Sequence, residues 1–300
     1  MRFTLIYNPV SGRGAGRAAA DRASAALASA GHAVERFETT PDVSADSLAR
    51  RAALEGAERV VAIGGDGTVA EAAAGLIDAG RAIPLAILPR GTANVLALNL
   101  GLPTGLDAGI RTALAGVPTP IDIGRLNGVA FALTVSAGLH AEVVARASRV
   151  RKRRLGVAAY GLATLEATFE TAPSRYRIVH DGGTLETEAS MVHVMNCGAV
   201  LRRSWEFAPG ISPVDGVFDI LVHKARTIAE YLATAAYVIR GAPTSTELVV
   251  HVRSSRVEIE AVPDVRLQRD GEMAGTSPAR IEMLPKALPV LLPPGSPWAA

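Results

Sequence analysis

The sequence predicts two domains of different class, a doubly wound α/β domain followed by a mainly antiparallel β domain. Three observations predict it. Apolar runs of strand length alternate with Ala-rich helical stretches up to Leu98. The pattern changes near Pro118-Thr119-Pro120. Just beyond, Asn127-Gly128 lies between two apolar runs, the strongest short-range hairpin signal. Strands interleaved with helices imply a parallel sheet covered on both faces. In such sheets ligands gather beyond the carboxyl ends of the strands.

In chain order, Phe3 to Tyr7 reads as a strand, and Ala15 to Ala30 as a helix stopped by Gly31. Ala33 to Phe37 alternates like a strand, and Asp42 or Ser44 caps a helix through Leu54. Arg59 to Ile63 is a buried strand running into Gly64-Gly65-Asp66-Gly67, after which Thr68 to Ala79 is helical. Ile83 to Leu88 is a further strand, followed by a Pro-Arg-Gly turn and a helix through Leu98. Past the boundary, Ile121–Leu126 and Val129–Val135 form the hairpin, and Asp181-Gly182-Gly183 marks a second turn. Strand-like runs recur at Met191–Met195, Val217–Val222, Leu248–Val252 and Val257–Ala261, with helical segments around Leu155–Glu170 and Ile228–Ile239.

Composition excludes several classes. Of 300 residues, 49% are hydrophobic and 20% charged, which describes a well-cored globular chain. The net charge of +2 offers no electrostatic footprint for nucleic acid. One cysteine, Cys197, rules out a disulfide framework and reads as a small buried hydrophobe in a reducing compartment. The six histidines show no metal-ligand spacing, and His140 and His193 lie in apolar runs as packed residues. Met1 to Tyr7 meets Asn8-Pro9 too soon for a signal peptide. The longest charge-poor stretch, Leu126 to Leu139 apart from its polar breaks, falls short of the ~20 residues that a span needs. The expectation is a cytoplasmic protein that meets a membrane only at its inner face.

Three loops follow three predicted strands and should cluster at one sheet edge: Asn8-Pro9-Val10-Ser11-Gly12-Arg13-Gly14, Gly64-Gly65-Asp66-Gly67-Thr68 and Pro89-Arg90-Gly91-Thr92-Ala93-Asn94. Glycines let backbone N–H groups turn toward phosphates, and the helices that follow aim their positive ends at the same place. Gly-rich turns after strands are also ordinary connectors. The central loop is more specific, because a carboxylate beside phosphates is unfavourable unless a cation or a proton transfer justifies it. That points to Mg²⁺-linked phosphoryl chemistry. A P-loop is excluded, since no lysine follows a glycine in its frame, and Gly12-Arg13-Gly14-Ala15-Gly16 has the wrong spacing for a dinucleotide fingerprint.

In order and spacing, Asn8-Pro9-x-Ser11-Gly12, Gly64-Gly65-Asp66-Gly67-Thr68-x-x-Glu71 and Leu88-Pro89-x-Gly91-Thr92-Ala93-Asn94 resemble the diacylglycerol kinase catalytic domain. The bacterial YegS-like and sphingosine-kinase-like lipid kinases are the nearest branches. The likeness continues through Pro120 to Gly124, Ser136-Ala137-Gly138, Asn196-Cys197-Gly198, Pro213 to Asp219 and Gln268 to Glu272.

The resemblance implies an NAD-kinase-like three-layer domain, residues 1–122 with a returning segment at about 280–292, and a β-sandwich lipid-substrate domain over 123–279. It implies ATP and Mg²⁺ between them. The Gly64, Gly65, Asp66, Gly67, Thr68 loop with Glu71 would hold the phosphates and Mg²⁺. Asn8, Pro9, Ser11, Gly12, Thr39, Thr92 and Asn94 would line the nucleotide pocket. Asp270 and Glu272 would face that loop, with Glu272 the general base for a lipid hydroxyl and Asp66 its rival. Asp215, with backbone oxygens of Ser212 and Val217, matches a structural Mg²⁺ site. On its own an Asp-Gly pair is an ordinary turn, as at Asp215-Gly216 and Asp270-Gly271.

Two departures are visible. Ala70 stands where the family has Asn, and Arg269, where an aliphatic residue is usual, puts a charge near the proposed base.

The acceptor stays open among diacylglycerol-, sphingoid- and phosphatidylglycerol-like lipids. The basic run Arg149, Arg151, Lys152, Arg153, Arg154 would meet anionic headgroups or be a solvated turn. Pairing of β edges in a homodimer is a further expectation. The rival readings are an NAD-kinase-like enzyme and a non-catalytic nucleotide- or lipid-binding regulator. Against the regulator stands the presence of Asp66, Asp270 and Glu272 together.

Overall fold

The computed structural model describes residues 1–146, 172–199, 207–227, 229–234, 246–296 and 298. The first domain comprises β1 (Arg2–Tyr7), α1 (Ser11–Gly14), α2 (Gly16–Ser29), β2 (Ala33–Glu38), α3 (Ala45–Leu54), β3 (Arg59–Gly64), α4 (Asp66–Asp78), β4 (Leu85–Pro89), α5 (Val95–Asn99) and α6 (Leu106–Ala115). There follow β5 (Val117–Leu126), β6 (Val129–Phe131), β7 (Thr134–Gly138), α7 (Leu139–Arg146), β8 (Ser174–His180), β9 (Gly183–Ala189), β10 (Met191–Met195) and β11 (Phe218–His223). The chain closes with β12 (Val249–Ser254), β13 (Arg256–Val262), β14 (Arg266–Arg269), β15 (Glu272–Thr276) and β16 (Ala279–Leu292).

The strands β2-β1-β3-β4 are parallel; β1, β3 and β4 are covered on both faces, and β2 is a largely exposed edge strand. Successive residues of β3 serve opposite layers, as the two-residue repeat of a strand requires. Val61 and Ile63 pack with Ala20, Ala23 and Leu27 of α2 and Ile110 of α6. Val60 and Ala62 pack with Leu48 and Ala52 of α3 and Ala72 and Leu76 of α4. Strands buried on both faces read as continuous apolar runs, which is why the sequence announces them.

The sheet does not stop at β4. Its order runs on as β4-β16-β13-β8-β9, with β5 beside β16 and β6 beside β5. Strand β16 lies parallel to β4 at Val290 and antiparallel to β13 over Ala279–Glu282. It pairs with β5 along almost its whole length, with a register break between Leu284 and Leu288.

A second sheet, β12-β11-β10-β7-β14-β15, packs against the β13-β8-β9 part of the first. Tyr176, Ile178, Val257 and Ile259 face Val192, Val194, Phe218 and Ile220 across that core. Buried and exposed residues alternate along β13, as expected for a strand with one wet face. The α/β-plus-sandwich class expected from sequence is the fold observed.

Several local expectations change. The run Val129–Val135 is two strands in different sheets, because the chain breaks stride at Ala132-Leu133. Helix α6 was not expected. Leu106, Ile110 and Ala113 recur at helical spacing, but the stretch carries Gly105 and Gly109 as breakers. The segment 155–170, much of 228–239 and the basic run at 149–154 lie outside the described residues.

Helices α3 and α4 touch backbone to side chain. Glu71 Oε2 accepts the N–H of Ala45, the first residue of α3, at 2.8 Å. A methyl group added at Gly75 would stand 2.1 Å from the Asp46 carbonyl oxygen. Helix propensity alone makes Gly→Ala stabilising by about 1 kcal/mol. In this contact the sign reverses: Gly75→Ala lowers the urea midpoint of unfolding, and an unchanged or raised midpoint would refute the close packing.

Candidate active site

The three glycine-bearing loops do meet, at the carboxyl ends of β1, β3 and β4. Asn8 N–H donates to Ile63 O at 3.1 Å, and Arg90 N–H donates to Gly64 O at 2.7 Å. A Cβ at Gly91 would lie 2.6 Å from Gly65 Cα, so these two loops touch backbone to backbone and only glycine fits. A Cβ at Gly12 would stand 3.0 Å from Arg90 O, which brings the first loop against the third.

Inside each loop the polar side chains shape their own turn. Ser11 Oγ donates to Asn8 O at 2.9 Å, and Asn8 Oδ1 accepts Val10 N–H at 3.1 Å, while Pro9 sits within that turn. Asn94, in the left-handed region at φ 49°, accepts Gly91 N–H at 2.8 Å and donates to Gly91 O at 2.9 Å. Thr92 is exposed at the tip of the third loop, and Thr68 is buried against Gly64. Thr39 N–H donates to Tyr7 O at 2.9 Å, at the end of β2 beside the first loop.

Asp66 joins the second loop to the third. It opens α4, and its Oδ1 accepts the N–H of Val95, the first residue of α5. Burial pushes its carboxyl above the ordinary range, against the pull of N–H groups from Val95, Leu96 and Asn94. A carboxylate that would rather be neutral gains from any cation placed beside it.

Across the cleft, Asp270 turns the corner between β14 and β15 at φ 48°. Its carboxylate gathers three backbone N–H groups: Ala132 at 2.8 Å, Leu133 at 2.9 Å and Thr134 at 3.0 Å. Those are the residues where the hairpin strand splits into β6 and β7. The clamp therefore explains the break that the apolar run concealed. Burial raises the Asp270 carboxyl, and the three N–H groups and Arg269 only partly offset it. Gln268 Oε1 accepts Gly271 N–H at 2.7 Å and holds the same turn. The side chain of Glu272, exposed one residue later, makes no hydrogen bond or ion pair with the described residues. Asp270 is thus engaged with backbone, and the Glu272 side chain is not.

Asp66 and Gly67 from one domain and Asp270 and Glu272 from the other line one cleft of about 390 Å³. The exposed part of its lining carries Gly67, Ala93 and Glu272; the buried part is Leu133, His193, Met195 and Cys197. Neither Glu71, engaged with α3, nor the 212–217 turn belongs to that lining. Asp215 instead contacts Arg253, and its Oδ1 accepts Val217 N–H at 3.3 Å. Ser212 Oγ accepts Val214 N–H at 3.3 Å.

The donor sets bear on Mg²⁺. No group of three or more His, Cys, Asp or Glu among the described residues is arranged to hold a metal ion. Mg²⁺ asks for less, since it keeps several waters and takes one or two carboxylates plus substrate phosphates. Asp66 and Glu272 on one cleft fit that demand in kind and in charge. At Asp215 burial pushes the carboxyl up, against the pull of Val217 N–H and Arg253 and with a smaller push from Asp219 and Asp122, and Arg253 must yield an oxygen before a cation can take it.

Two findings escaped sequence reasoning. His140 and His193 are packed, as their apolar surroundings suggest, yet both also line the cleft. The three-N–H clamp on Asp270 has no local sequence signal.

Residues 2–126 match the family model of the diacylglycerol kinase catalytic domain, and residues 133–292 match that of the YegS C-terminal NAD kinase beta sandwich-like domain. The chain is 31% identical over 304 residues to an uncharacterized protein of Synechocystis sp., covering 96% of this chain and 70% of that one. It is 29% identical over 293 residues to a diacylglycerol kinase of Bacillus subtilis, covering 97% and 96%. A crystal structure from Bacillus anthracis superposes with a TM-score of 0.81 at 26% identity, covering 98% of each chain. A diacylglycerol kinase structure from the same organism, at 22% identity and TM-score 0.77, shares the fold.

Two outcomes follow from this geometry. Asn at position 270 can accept with one oxygen only, leaving an amide N–H facing backbone N–H. Asp270→Asn therefore loses about 1–3 kcal/mol of stability in urea unfolding, and wild-type stability would refute the clamp.

The second concerns acid. His140 and His223 are held down at about 4 and His193 well below 6.5, all by burial first, with His140 adding to the shift of His223 and both adding to that of His193. Unfolded, they titrate near 6.5. Below that pH the unfolded chain takes up protons that the folded chain refuses. Stability is complete above about 6.5 and falls as pH drops toward 4, by up to about 1.4 kcal/mol per pH unit for each histidine. The raised carboxylates act in the opposite sense, so the comparison is with His223→Leu. That variant shows a shallower loss between pH 6.5 and 4 in urea midpoints; an identical slope would refute it.

Proposed function

Because the chain belongs to the family of the diacylglycerol kinase catalytic domain, and is a lipid kinase, we propose that it moves the γ-phosphoryl group of ATP onto the hydroxyl of a lipid. A diacylglycerol-like acceptor is the first choice, since relatives of nearly equal length bear that name. The observation that supports the reading is the shared cleft. It sets Asp66, at the start of α4, opposite a turn whose Asp270 is consumed by backbone N–H groups and whose Glu272 is free.

In the proposed reaction the lipid oxygen bonds to the γ-phosphorus as the bond to the β–γ bridging oxygen breaks. ADP leaves with that electron pair, and the hydroxyl proton passes to Glu272, with Asp66 the rival acceptor. The loops at Asn8–Gly12, Gly64–Thr68 and Gly91–Asn94 offer backbone N–H groups and helix starts to the nucleotide phosphates. Mg²⁺, when bound, neutralises charge that builds on the phosphoryl oxygens; Asp66 and Glu272 are the residues that would hold it. A second, structural Mg²⁺ on Asp215 and the carbonyls of Ser212 and Val217 belongs to the same proposal.

A lipid kinase works at a membrane surface. Among the described residues no helix is long and apolar enough to cross one. The basic run at 149–154 is the proposed contact with anionic headgroups on the cytoplasmic face.

The test is purified protein with ATP, Mg²⁺ and mixed-lipid vesicles, with NAD⁺ in a parallel tube and products identified by mass spectrometry. A phospholipid product is expected. Glu272→Gln should lower kcat by about 10²–10⁴-fold with KM for ATP near wild type, as for loss of a general base. NADP⁺ alone would overturn the lipid reading. Full activity in Glu272→Gln with loss in Asp66→Asn would hand the proton to Asp66.

A further inference from the structure

His193 is a polar residue where an apolar one would pack. It lies on β10 and is 3% exposed. Its ring meets His140 at 4.9 Å, His223 at 5.1 Å and Phe207 at 5.4 Å between centroids, all tilted or edge-on. Neither Nδ1 nor Nε2 finds a hydrogen-bond partner among the described residues. Buried polar groups are nearly always paired, and an unpaired one is a standing penalty that demands an explanation. The ring also lines the cleft that holds Asp66 and Glu272, next to apolar Met195 and Leu133. His140, across from it, is fixed by a 2.8 Å hydrogen bond between its Nδ1 and Ser136 Oγ.

Resting on the lipid-kinase reading, we propose that His193 is the residue that recognises the acceptor, donating a ring N–H to an ester carbonyl of an uncharged acylglycerol. The chemistry of the buried lining selects for that class. Burial holds His140 and His193 neutral at physiological pH, so neither offers a cation to a headgroup phosphate. Of the carboxylates on that lining, Asp270 is already taken up by three backbone N–H groups, and Asp66 and Glu272 are the groups assigned above to Mg²⁺ and the hydroxyl proton, so none is left for an ammonium. A neutral imidazole supplies one donor and one acceptor, which matches a carbonyl or hydroxyl and neither kind of charge. A site built to pair one polar group discriminates strongly against an analogue lacking it.

The test compares wild type with His193→Phe, His193→Gln and, as a packing control outside the cleft lining, His223→Leu. Binding of 1,2-dioctanoylglycerol without nucleotide is read by calorimetry. Kinetics in mixed micelles use that lipid, its diether analogue without carbonyls, sphingosine and phosphatidylglycerol. The expected result for His193→Phe is roughly tenfold weaker binding and a matching rise in KM, with kcat near wild type. Its urea midpoint should be unchanged or higher, because an unpaired polar ring has been removed. His193→Gln should recover part of the binding, His223→Leu should leave KM alone, and the diether should be a poor acceptor for wild type and insensitive to position 193.

The proposal is overturned if His193→Phe binds dioctanoylglycerol as wild type does. It is equally overturned if the diether, sphingosine or phosphatidylglycerol serves wild type as well as the diacyl lipid. The two readings fail separately. Phosphorylation that ignores position 193 removes the recognition role and keeps the kinase. Binding that depends on His193 without any phospholipid product keeps the recognition role and removes the kinase.

Discussion

The buried carboxylate of Asp122 ties together the two halves of this molecule. It sits on β5 opposite the register break in β16. Its Oδ1 accepts Lys286 N–H and its Oδ2 accepts Gly216 N–H, both at 2.7 Å. Its own N–H donates to Pro213 O at 2.7 Å, and its carbonyl accepts Asn196 Nδ2 at 2.9 Å. Without it, the N–H of Lys286 inside the register break and that of Gly216 would lose their acceptor, a net loss of about 0.5–1.5 kcal/mol for each hydrogen bond. The break lets one strand serve a sandwich at Ile281 and a parallel sheet at Val290. The orientation of the domains, and so the cleft, depends on that change of partner.

The site repeats the same device with a second carboxylate. Asp270 accepts three consecutive backbone N–H groups and so decides where one strand ends and the next begins. Backbone bonds hold the turn, which leaves the Glu272 side chain unengaged. The turn thus pairs a half-buried aspartate bound to backbone with an exposed Glu272 side chain two residues on. Asp66 shows a compromise between the two roles. It stitches loops together through α5 yet keeps a raised affinity for protons.

Legibility followed the range of the forces. The parallel strands were plain because burial on both faces writes an unbroken apolar run. The glycine loops were plain because close backbone approach, as between Gly65 and Gly91, admits no side chain. What could not be read was set by distant partners. The split at Ala132-Leu133 is caused by a residue 137 positions away. Asp66 and Glu71 lie five positions apart on α4, and at 3.6 residues per turn these point in different directions. Shared motif membership hides that difference, and the structure gives Glu71 to α3. His193 looked like core from its neighbours, and it is core; only the fold reveals the cleft beside it.

The course of β16 has a consequence for the nascent chain. Strand β4 pairs with β3 on one side and with β16 on the other. While a ribosome makes this protein, β4 emerges roughly two hundred residues before its outer neighbour, an interval on the order of ten to forty seconds at ordinary synthesis rates. For that time the half-made sheet presents an apolar strand with unsatisfied backbone groups along one border, the template on which chains aggregate. The enzyme's two halves are thus joined in time as well as in space: the first can close only when the last strand arrives.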